Sequence, residues 1–362
     1  MAMILAIDMG KNKSVCSHYN SLNGERTYET IPTSPQAFHD LLTQHPADTV
    51  LIEISPLAGW VSDLCRTLKI QLKVVNTTSD AWSWKKVKDK SDRKDAEKLA
   101  VMEAMNQHRY VHMPKAPVRQ WRELIAYRND QVKRVTACKN RIRAILDRQG
   151  KRWAAGKAGW TQAAIDELRS MAKSLDECTD ENLWCGMLHE ELLSLGHSQA
   201  RLASVSGRLD QMAESNKRVC RLKTVPGVGN RTAEIVIAML DDSNRFDNVS
   251  QVGAYTGLTP RRCQSGQMDR QLGISHAGSR LLRKMLVQAS WIGQQTNPWM
   301  KETFERICGG KKDRKKKAIV AVARKLFVRL WAMDRDSKDW NGPAAVKPTR
   351  RTKVKTKAGN PA

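Results

Sequence analysis

A stretch of thirty residues, 119–148, contains neither glycine nor proline and carries nine basic and three acidic side chains. Apolar residues recur in this stretch with a period of seven residues, at Trp121, Leu124, Val135, Cys138, Ile142 and Ile145. Arg128 and Gln131 interrupt the pattern. This pattern predicts one long basic helix with a coiled-coil-like seam. The helix separates an N-terminal region of short elements from a C-terminal region of different character.

A second helix with the same period is predicted further along the chain. Leu195, Leu202 and Leu209 recur every seven residues. Two such helices can pair within one chain or between two chains, and the sequence leaves both open. Residues 115–220 are therefore predicted to form a basic coiled-coil linker.

The first 107 residues alternate between short apolar runs and helical patterns, each bounded by turn residues. Ser34 and Ser91 are the predicted caps of the first and third helices. The strands are expected at 3–8, 14–18, 26–31, 49–54 and 71–75, and the helices at 34–43, 57–67 and 91–105. This order, β-β-β-α-β-α-β-α, is that of the α/β ribonuclease H-like (RuvC-like) fold.

The charge of the chain points to a polyanionic partner. The sequence has 62 Lys and Arg against 37 Asp and Glu, a formal net charge of +25. A nucleic acid compensates such a surplus, whereas a membrane is the weaker option, because no run of about 18 apolar residues occurs.

The short apolar start does not resemble a signal peptide, so a cytoplasmic protein is expected. The eight cysteines are scattered and are predicted to be free thiols.

Four carboxylates are predicted to converge in the N-terminal region. Asp8 ends the first strand, and Glu53 sits at the same level in a later strand that neighbours it in this fold. Asp92 and Asp95 are three residues apart and share one helix face. Such a cluster needs a cation between its members, and hard oxygen ligands suit Mg²⁺ or Mn²⁺. Two such ions can clamp the attacking and leaving oxygens of a phosphodiester.

Each carboxylate taken alone has a structural explanation. Asp8 fits a turn, Glu53 a strand end, and Asp92 and Asp95 the first turn of a helix, where the dipole favours acids. Asp8-Met-Gly10 also fits the start of a phosphate-binding turn of the sugar kinase and actin type. Lys11-Asn-Lys13 follow in place of small hydroxyl residues, and no second such strand is found, so the metal cluster is favoured.

A serine near the C-terminus lies in the most distinctive motif, Gly257-Leu-Thr-Pro-Arg-Arg-Cys-Gln-Ser-Gly266. Arg261 and Arg262 bring two guanidinium groups close to Ser265 in sequence, and arginine forks suit phosphate oxygens. A serine can attack phosphorus if a base or a metal activates it. On chemistry alone, Ser265 is more readily explained as a turn residue.

Three further segments are candidates for contact with nucleic acid. Pro226-Gly-Val-Gly229 precedes a predicted helix and is typical of a helix-hairpin-helix turn, in which the backbone amides near Gly227 and Gly229 hold a phosphate. An ordinary helix connection explains this short motif equally well. A basic run is the second candidate: Lys311, Lys312, Arg314, Lys315, Lys316 and Lys317. The third is the tail 341–362, which has six basic residues, no acid, and is predicted to be disordered.

Together these motifs resemble the "insertion sequence one-ten" transposases, which include Piv-type DNA invertases and bridge-RNA-guided recombinases. The resemblance runs from about residue 3 to 335 and rests on five motifs in this order: Ile7-Asp8, Ile52-Glu53, Ser91-Asp-Arg-Lys-Asp-Ala96, Val225-Pro-Gly-Val-Gly229 and Gly257-Leu-Thr-Pro-Arg-Arg262 with Ser265. It implies a RuvC-like domain over 1–107, a coiled-coil middle over 115–220, and a mainly α transposase domain over 221–335.

The resemblance also implies a chemistry and partners. Asp8, Glu53, Asp92 and Asp95 would be the metal-binding DEDD set, and Ser265 would join covalently to DNA. In the family a homo-oligomer, a dimer or tetramer, supplies these groups from different subunits, and a non-coding guide RNA selects the DNA partners. Two rivals stay open: a RuvC-like nuclease that hydrolyses DNA without the serine, and a nucleic-acid-binding protein whose acidic cluster is structural.

Overall fold

The computed structural model of the protein describes residues 3–76, 91–265 and 268–344. The chain divides into two compact units, Met1–Gln120 and Trp121–Ala362. The predicted C-terminal region and the predicted middle region, apart from residues 115–120, fall within the second unit. Of the predicted disordered tail, all but the first four residues lies outside the described residues.

The first unit contains one five-stranded sheet. Its elements are β1 Met3–Met9, β2 Lys13–Asn20, β3 Arg26–Pro32, α1 Pro35–Gln44, β4 Thr49–Glu53, α2 Ala58–Thr67, β5 Leu72–Val75 and α3 Asp92–Ala104. The strand order is β3-β2-β1-β4-β5, in which β2 is antiparallel to both of its neighbours. Strand β4 is parallel to both β1 and β5. The predicted order of elements and the ribonuclease H-like topology are thus confirmed.

The two faces of this sheet are covered by different helices. Leu5 and Ile7 of β1 and Ile52 of β4 pack with α1 and α2. The alternate residues, among them Ala6 and Leu51, pack with α3. Because both faces are covered, the central strands β1 and β4 are continuous apolar runs rather than alternating ones.

The second unit is mainly helical. The long helix α4 Ala116–Arg148 enters it, followed by α5 Gln162–Met171, α6 Leu183–Ser215, α7 Lys217–Lys223 and α8 Asn230–Leu240. Then come α9 Val249–Tyr255, the strands β6 Pro260–Ser265 and β7 Met268–Ile274, and α10 Arg280–Thr296, α11 Pro298–Cys308 and α12 Lys315–Arg335. Residues from α4 and α6 share one core with α7 to α12.

The two long helices pair within one chain. Cys138 and Ile142 of α4 pack in one cluster with Leu188 and Leu195 of α6. The guanidinium of Arg141 lies 2.5 Å from the carboxylate of Glu191. Nearer the other end, Arg128 donates to the hydroxyl of Ser206, so the helices run antiparallel. The apolar seam therefore finds its partner inside the chain.

The segment 257–278 contains the two antiparallel strands of a β-hairpin, whereas the sequence favours a turn residue at Ser265. Strands β6 and β7 pair in antiparallel register from Pro260 with Ile274 to Ser265 with Met268. The strands are rich in Arg, Gln and Asp, so the apolar alternation that signals a strand is missing. Within the part of the chain that the structure describes, no helix has the length and apolar character needed to cross a membrane.

Candidate active site and nucleic-acid interface

Asp8 and Glu53 lie side by side on the two central strands. In the parallel pair β1 and β4, Ile7 is the register partner of Ile52, and each carboxylate follows directly. Both side chains are partly buried. Because side chains alternate along a strand, Asp8 and Glu53 project on the α3 side with Ala6 and Leu51.

Helix α3 contributes the other two carboxylates on the same side of the sheet. It begins at Asp92, and the hydroxyl of its cap Ser91 accepts a hydrogen bond from the amide of Lys94. Asp95 lies one turn before Leu99, which is buried against the sheet. The Oδ1 atom of Asp95 is accordingly shielded from solvent, whereas Asp92 is exposed. Acidic side chains are common in the first turn of a helix, where both residues lie.

The donor chemistry and placement of the four carboxylates fit a divalent cation, but their oxygen atoms lie farther apart than the ligands of one bound ion. All four offer hard oxygen ligands from one side of the sheet, as Mg²⁺ requires. Among the described residues, no three of these carboxylates bring oxygen atoms within 4.8 Å of one another. A bound cation would therefore require the side chains to close in from the positions they occupy here.

The structure places Ser265 at the end of β6, opposite Met268 of β7. Gly266 lies outside the described residues. Glycine is needed at the base of the hairpin, where Gly257 has a φ of +66° and any Cβ would meet the backbone of Ala277. Gly257 and Ser265 therefore lie at opposite ends of the two-stranded ribbon.

The two arginines of the hairpin differ in their surroundings. Arg262 forms an exposed ion pair with Asp269, with 2.7 Å between Nε and Oδ1. The hydrogen bond from Arg262 lowers the pKa of Asp269, and the same bond raises the pKa of Arg262. The sequence did not predict this partner. Surface pairs of this kind are weak, so a phosphate could displace the aspartate. Arg261 is exposed.

Gly227 and Gly229 have different structural roles in the turn between α7 and α8. Gly227 has a φ of +94°, and a Cβ there would lie 2.6 Å from the Cα atom of Gly293 in α10. Gly229 precedes α8 and has open space where a Cβ would be. Asp210 accepts from the side chains of Asn230 and Arg231 at the start of α8. This carboxylate already supplies an anion there, which favours a packing role for the turn.

The basic run occupies an unusual position at the start of α12. Lys311, Lys312 and Arg314 form or flank a short helical turn that leads into it. Lys315, Lys316 and Lys317 are the first three residues of α12. All six side chains are exposed. Cations at a helix N-terminus oppose the helix dipole, so an approaching phosphate would relieve an unfavourable interaction.

One polar cluster that the sequence did not predict lies on the other side of the same sheet. His18, Glu29 and His45 each place one potential metal-ligating atom within 4.8 Å of the other two. The two consecutive predicted strands, 14–18 and 26–31, are the signal that could have brought His18 and Glu29 together. His45 follows α1 and could be placed only by packing.

Two family models match this chain. One is described as "Transposase IS116/IS110/IS902 family" and matches residues 219–305. The other, a DEDD transposase domain of the IS110 type described as "Transposase", matches residues 5–150. Together they cover well over half of the 362 residues. The segment 219–305 contains Gly227, Gly229, Arg261, Arg262 and Ser265. The segment 5–150 contains the four carboxylates.

Curated relatives agree with these models. The chain is 29% identical to the transposase for insertion sequence element IS1111A of Coxiella burnetii, over 68% of this chain and 66% of the relative. It is 27% identical to the putative transposase y4rJ of Sinorhizobium fredii, over 78% and 76% of the two chains. The pilin gene-inverting protein of Moraxella lacunata is 29% identical, over 35% of this chain and 40% of its own length.

Among solved structures, a T. thermophilus RuvC in complex with a Holliday junction substrate aligns with 31% of this chain and all of its own. The identity is 13% and the TM-score 0.24. A score this low carries no weight for fold or function, so the fold assignment rests on the strand order of the sheet.

Proposed function

Because the chain belongs to the IS116/IS110/IS902 family of transposases, we propose that it cuts and rejoins DNA at an insertion sequence through a covalent phosphoserine intermediate. The observation that carries this proposal is the alignment of Asp8 with Glu53 on the sheet face covered by α3, which begins at Asp92. It supports a phosphodiester chemistry in the first unit. Ser265 is assigned as nucleophile by its place in the family motif.

The proposed reaction assigns a task to each group of side chains. Asp8, Glu53, Asp92 and Asp95 hold Mg²⁺ or Mn²⁺. When bound, the metal stabilises negative charge that develops on the phosphodiester oxygens. The Oγ atom of Ser265 forms a bond to phosphorus while the bond from phosphorus to one sugar oxygen breaks, and the proton of the serine hydroxyl ends on that departing oxygen.

Rejoining is the reverse of cleavage with a new partner. A free sugar hydroxyl attacks the phosphoserine, the bond between phosphorus and Oγ breaks, and Ser265 regains its proton. Each step exchanges one phosphoester bond for another, so neither step needs ATP. The exposed basic residues before and at the start of α12 hold the DNA backbone in this scheme.

The proposal includes an RNA and an assembly. A non-coding guide RNA would select the DNA partners, and the basic helix α4 offers it a surface. A homo-oligomer, a dimer or tetramer, would let one subunit supply the carboxylates and another the serine. Since α4 and α6 pair within one chain, this assembly does not depend on their apolar seam.

A site-specific DNA invertase using the same chemistry is the second candidate, because pilin gene-inverting proteins of Moraxella are among the relatives. Inversion and transposition differ in the DNA that is joined and share the proposed serine step. A hydrolytic nuclease would need the carboxylates but not Ser265. A binding protein with a structural acidic cluster would bind DNA equally well after Asp8→Asn.

The test is a search for a covalent protein–DNA adduct. The full chain, co-expressed with the RNA of its own locus, is mixed with end-labelled DNA of the element junction and Mg²⁺, and the products are separated on a denaturing gel. We expect an adduct that both Ser265→Ala and Asp92→Asn abolish. The matched controls, Ser275→Ala and Asp40→Asn, should retain it. Cleavage without an adduct, unchanged by Ser265→Ala, would establish the hydrolytic nuclease instead.

A further inference from the structure

Three potential metal ligands meet on the sheet face that α1 and α2 cover, away from the four carboxylates. His18 of β2 follows Cys16 by two residues and so projects on the same face, where Cys16 packs with α1 and α2. Glu29 of β3 is the register partner of Cys16. His45 ends α1, with its amide bonded to the carbonyl of Leu41. The three side chains therefore come from three different elements.

The distances suit a small cation. The Nε2 atom of His18 lies 2.6 Å from Oε1 of Glu29, and Nε2 of His45 lies 3.8 Å from the same oxygen. Around a tetrahedral Zn²⁺, with bonds of about 2.0–2.2 Å, neighbouring ligand atoms are about 3.3 Å apart. The shorter contact is a hydrogen bond between His18 and Glu29, which a bound cation would replace, and the longer contact exceeds that value. Rotation of the side chains would bring the three ligand atoms to the tetrahedral spacing.

The chemistry of the three donors selects the kind of metal. Two imidazoles and one carboxylate suit Zn²⁺ and related transition metals, whereas Mg²⁺ prefers oxygen ligands alone. The side chain of His18 is 12% exposed, but Glu29 and His45 are 35% and 49% exposed. The fourth position of a tetrahedral site would therefore be open to water.

Neighbouring groups do not complete the set. The Cys16 thiol is fully buried on the same face of the sheet. It is not one of the three clustered ligands. His39 lies in α1, the helix that His45 ends, but its ring contacts Asp40 rather than Glu29.

We propose that His18, Glu29 and His45 form a transition-metal site, occupied by Zn²⁺, that fastens the edge strand β3 and the end of α1 to strand β2. An edge strand is bonded on one side only, so a metal link adds a constraint where the sheet has fewest. The site is separate from the proposed catalytic carboxylates, because the two groups lie on opposite faces of the sheet.

The test is Zn²⁺ binding by the full chain, purified without a histidine tag and stripped with a chelator. Calorimetric titration is done in excess Mg²⁺, which occupies carboxylate oxygens and competes poorly for imidazole. We expect one Zn²⁺ per chain and a higher midpoint of thermal unfolding on binding. His45→Gln and Glu29→Gln should each weaken binding at least about tenfold and remove the rise in midpoint.

The matched control is His39→Gln, an exposed histidine of α1 outside the cluster, which should bind Zn²⁺ as the unchanged chain does. Circular dichroism of each variant without metal shows whether it is folded. Equal Zn²⁺ affinity of His45→Gln, Glu29→Gln and the unchanged chain would overturn the proposal. Absence of saturable binding by the unchanged chain would overturn it as well.

Discussion

Asp8 and Glu53 occupy equivalent positions on two neighbouring parallel strands, one residue beyond the paired Ile7 and Ile52. Neighbouring strands are about 4.8 Å apart, so two like charges face the same partly buried side of the sheet at close range. A cation between them would be attracted to both carboxylates. This placement is what supports the proposed metal-dependent chemistry.

Replacing Asp8 by Asn removes one charge and one metal ligand without changing the size of the side chain. We expect strand cleavage to fall on the order of 100-fold or more, because the charge stabilisation in the transition state is lost. In metal-free buffer the free energy of unfolding shows whether the variant is still folded. Cleavage assays and urea denaturation measure the two effects. Asp40→Asn, in α1, should change neither, and undiminished cleavage by Asp8→Asn would contradict the assignment.

Gly227→Ala places a Cβ 2.6 Å from the Cα atom of Gly293 at a backbone φ of +94°. We expect a loss of about 1–3 kcal/mol in the free energy of unfolding from steric strain and backbone strain together. Gly229→Ala is the matched control, since its Cβ would meet open space, and it should cost less than about 1 kcal/mol. Urea denaturation of both variants gives the comparison. Equal losses would show that packing against α10 is not what requires Gly227.

Arg218 and Asp334 form a two-point ion pair, with contacts of 2.8 and 2.6 Å, that joins α7 to α12. The Asp334 side chain is only 2% exposed, and the hydroxyl of Ser243 also contacts it. The hydrogen bond to Asp334 raises the pKa of Arg218. Arg218→Ala leaves a buried carboxylate without its cation, and we expect it to lower the free energy of unfolding by about 2–4 kcal/mol.

The comparison for this pair is Arg335→Ala, which removes a neighbouring pair with Asp336 at the surface. That change should cost much less than Arg218→Ala, because an exposed pair is screened by solvent. Denaturant titration of the two variants measures the difference. A similar cost for both would mean that burial of Asp334 adds nothing to the strength of its ion pair.

The lysines at positions 315, 316 and 317 are predicted to contact DNA phosphates. Replacing all three by Gln should weaken DNA binding and reduce the slope of log K against log salt by up to about 2.7, or about 0.9 for each phosphate that a lysine no longer neutralises. The same change should leave the fold equally or more stable, because cations at the start of α12 oppose its dipole. Fluorescence anisotropy across a salt series measures the slope. Lys301→Gln, in α11, should leave it unchanged, and a triple variant with the slope of the unchanged chain would exclude this contact.

The N-terminal elements could be predicted from local signals. The apolar runs of β1 and β4 end at Asp8 and Glu53, and Ser91 marks the start of α3 as predicted. These features depend on residues next to one another in sequence. The pattern of elements predicts the ribonuclease H-like fold, and in that fold the strands of Asp8 and Glu53 are neighbours.

The C-terminal hairpin could not be predicted in the same way. Its strands alternate among Arg, Gln, Cys and Asp, and their pairing depends on backbone hydrogen bonds and on the base at Gly257. The sequence therefore identified the motif around Ser265 but not the ribbon that carries it. The pair between Arg262 and Asp269 likewise depends on a register that periodicity does not reveal.

The sequence by itself determined the basic charge, the elements of the first unit, the long helix α4 and the residues of the family motifs. Each of these follows from composition, from a short motif or from local periodicity. Only the tertiary structure decided that α4 pairs with α6 in the same chain, that Gly227 packs on Gly293, and that His18 and Glu29 meet His45. A periodic pattern shows which side of a helix or strand is apolar. What covers that side depends on how distant parts of the chain pack together.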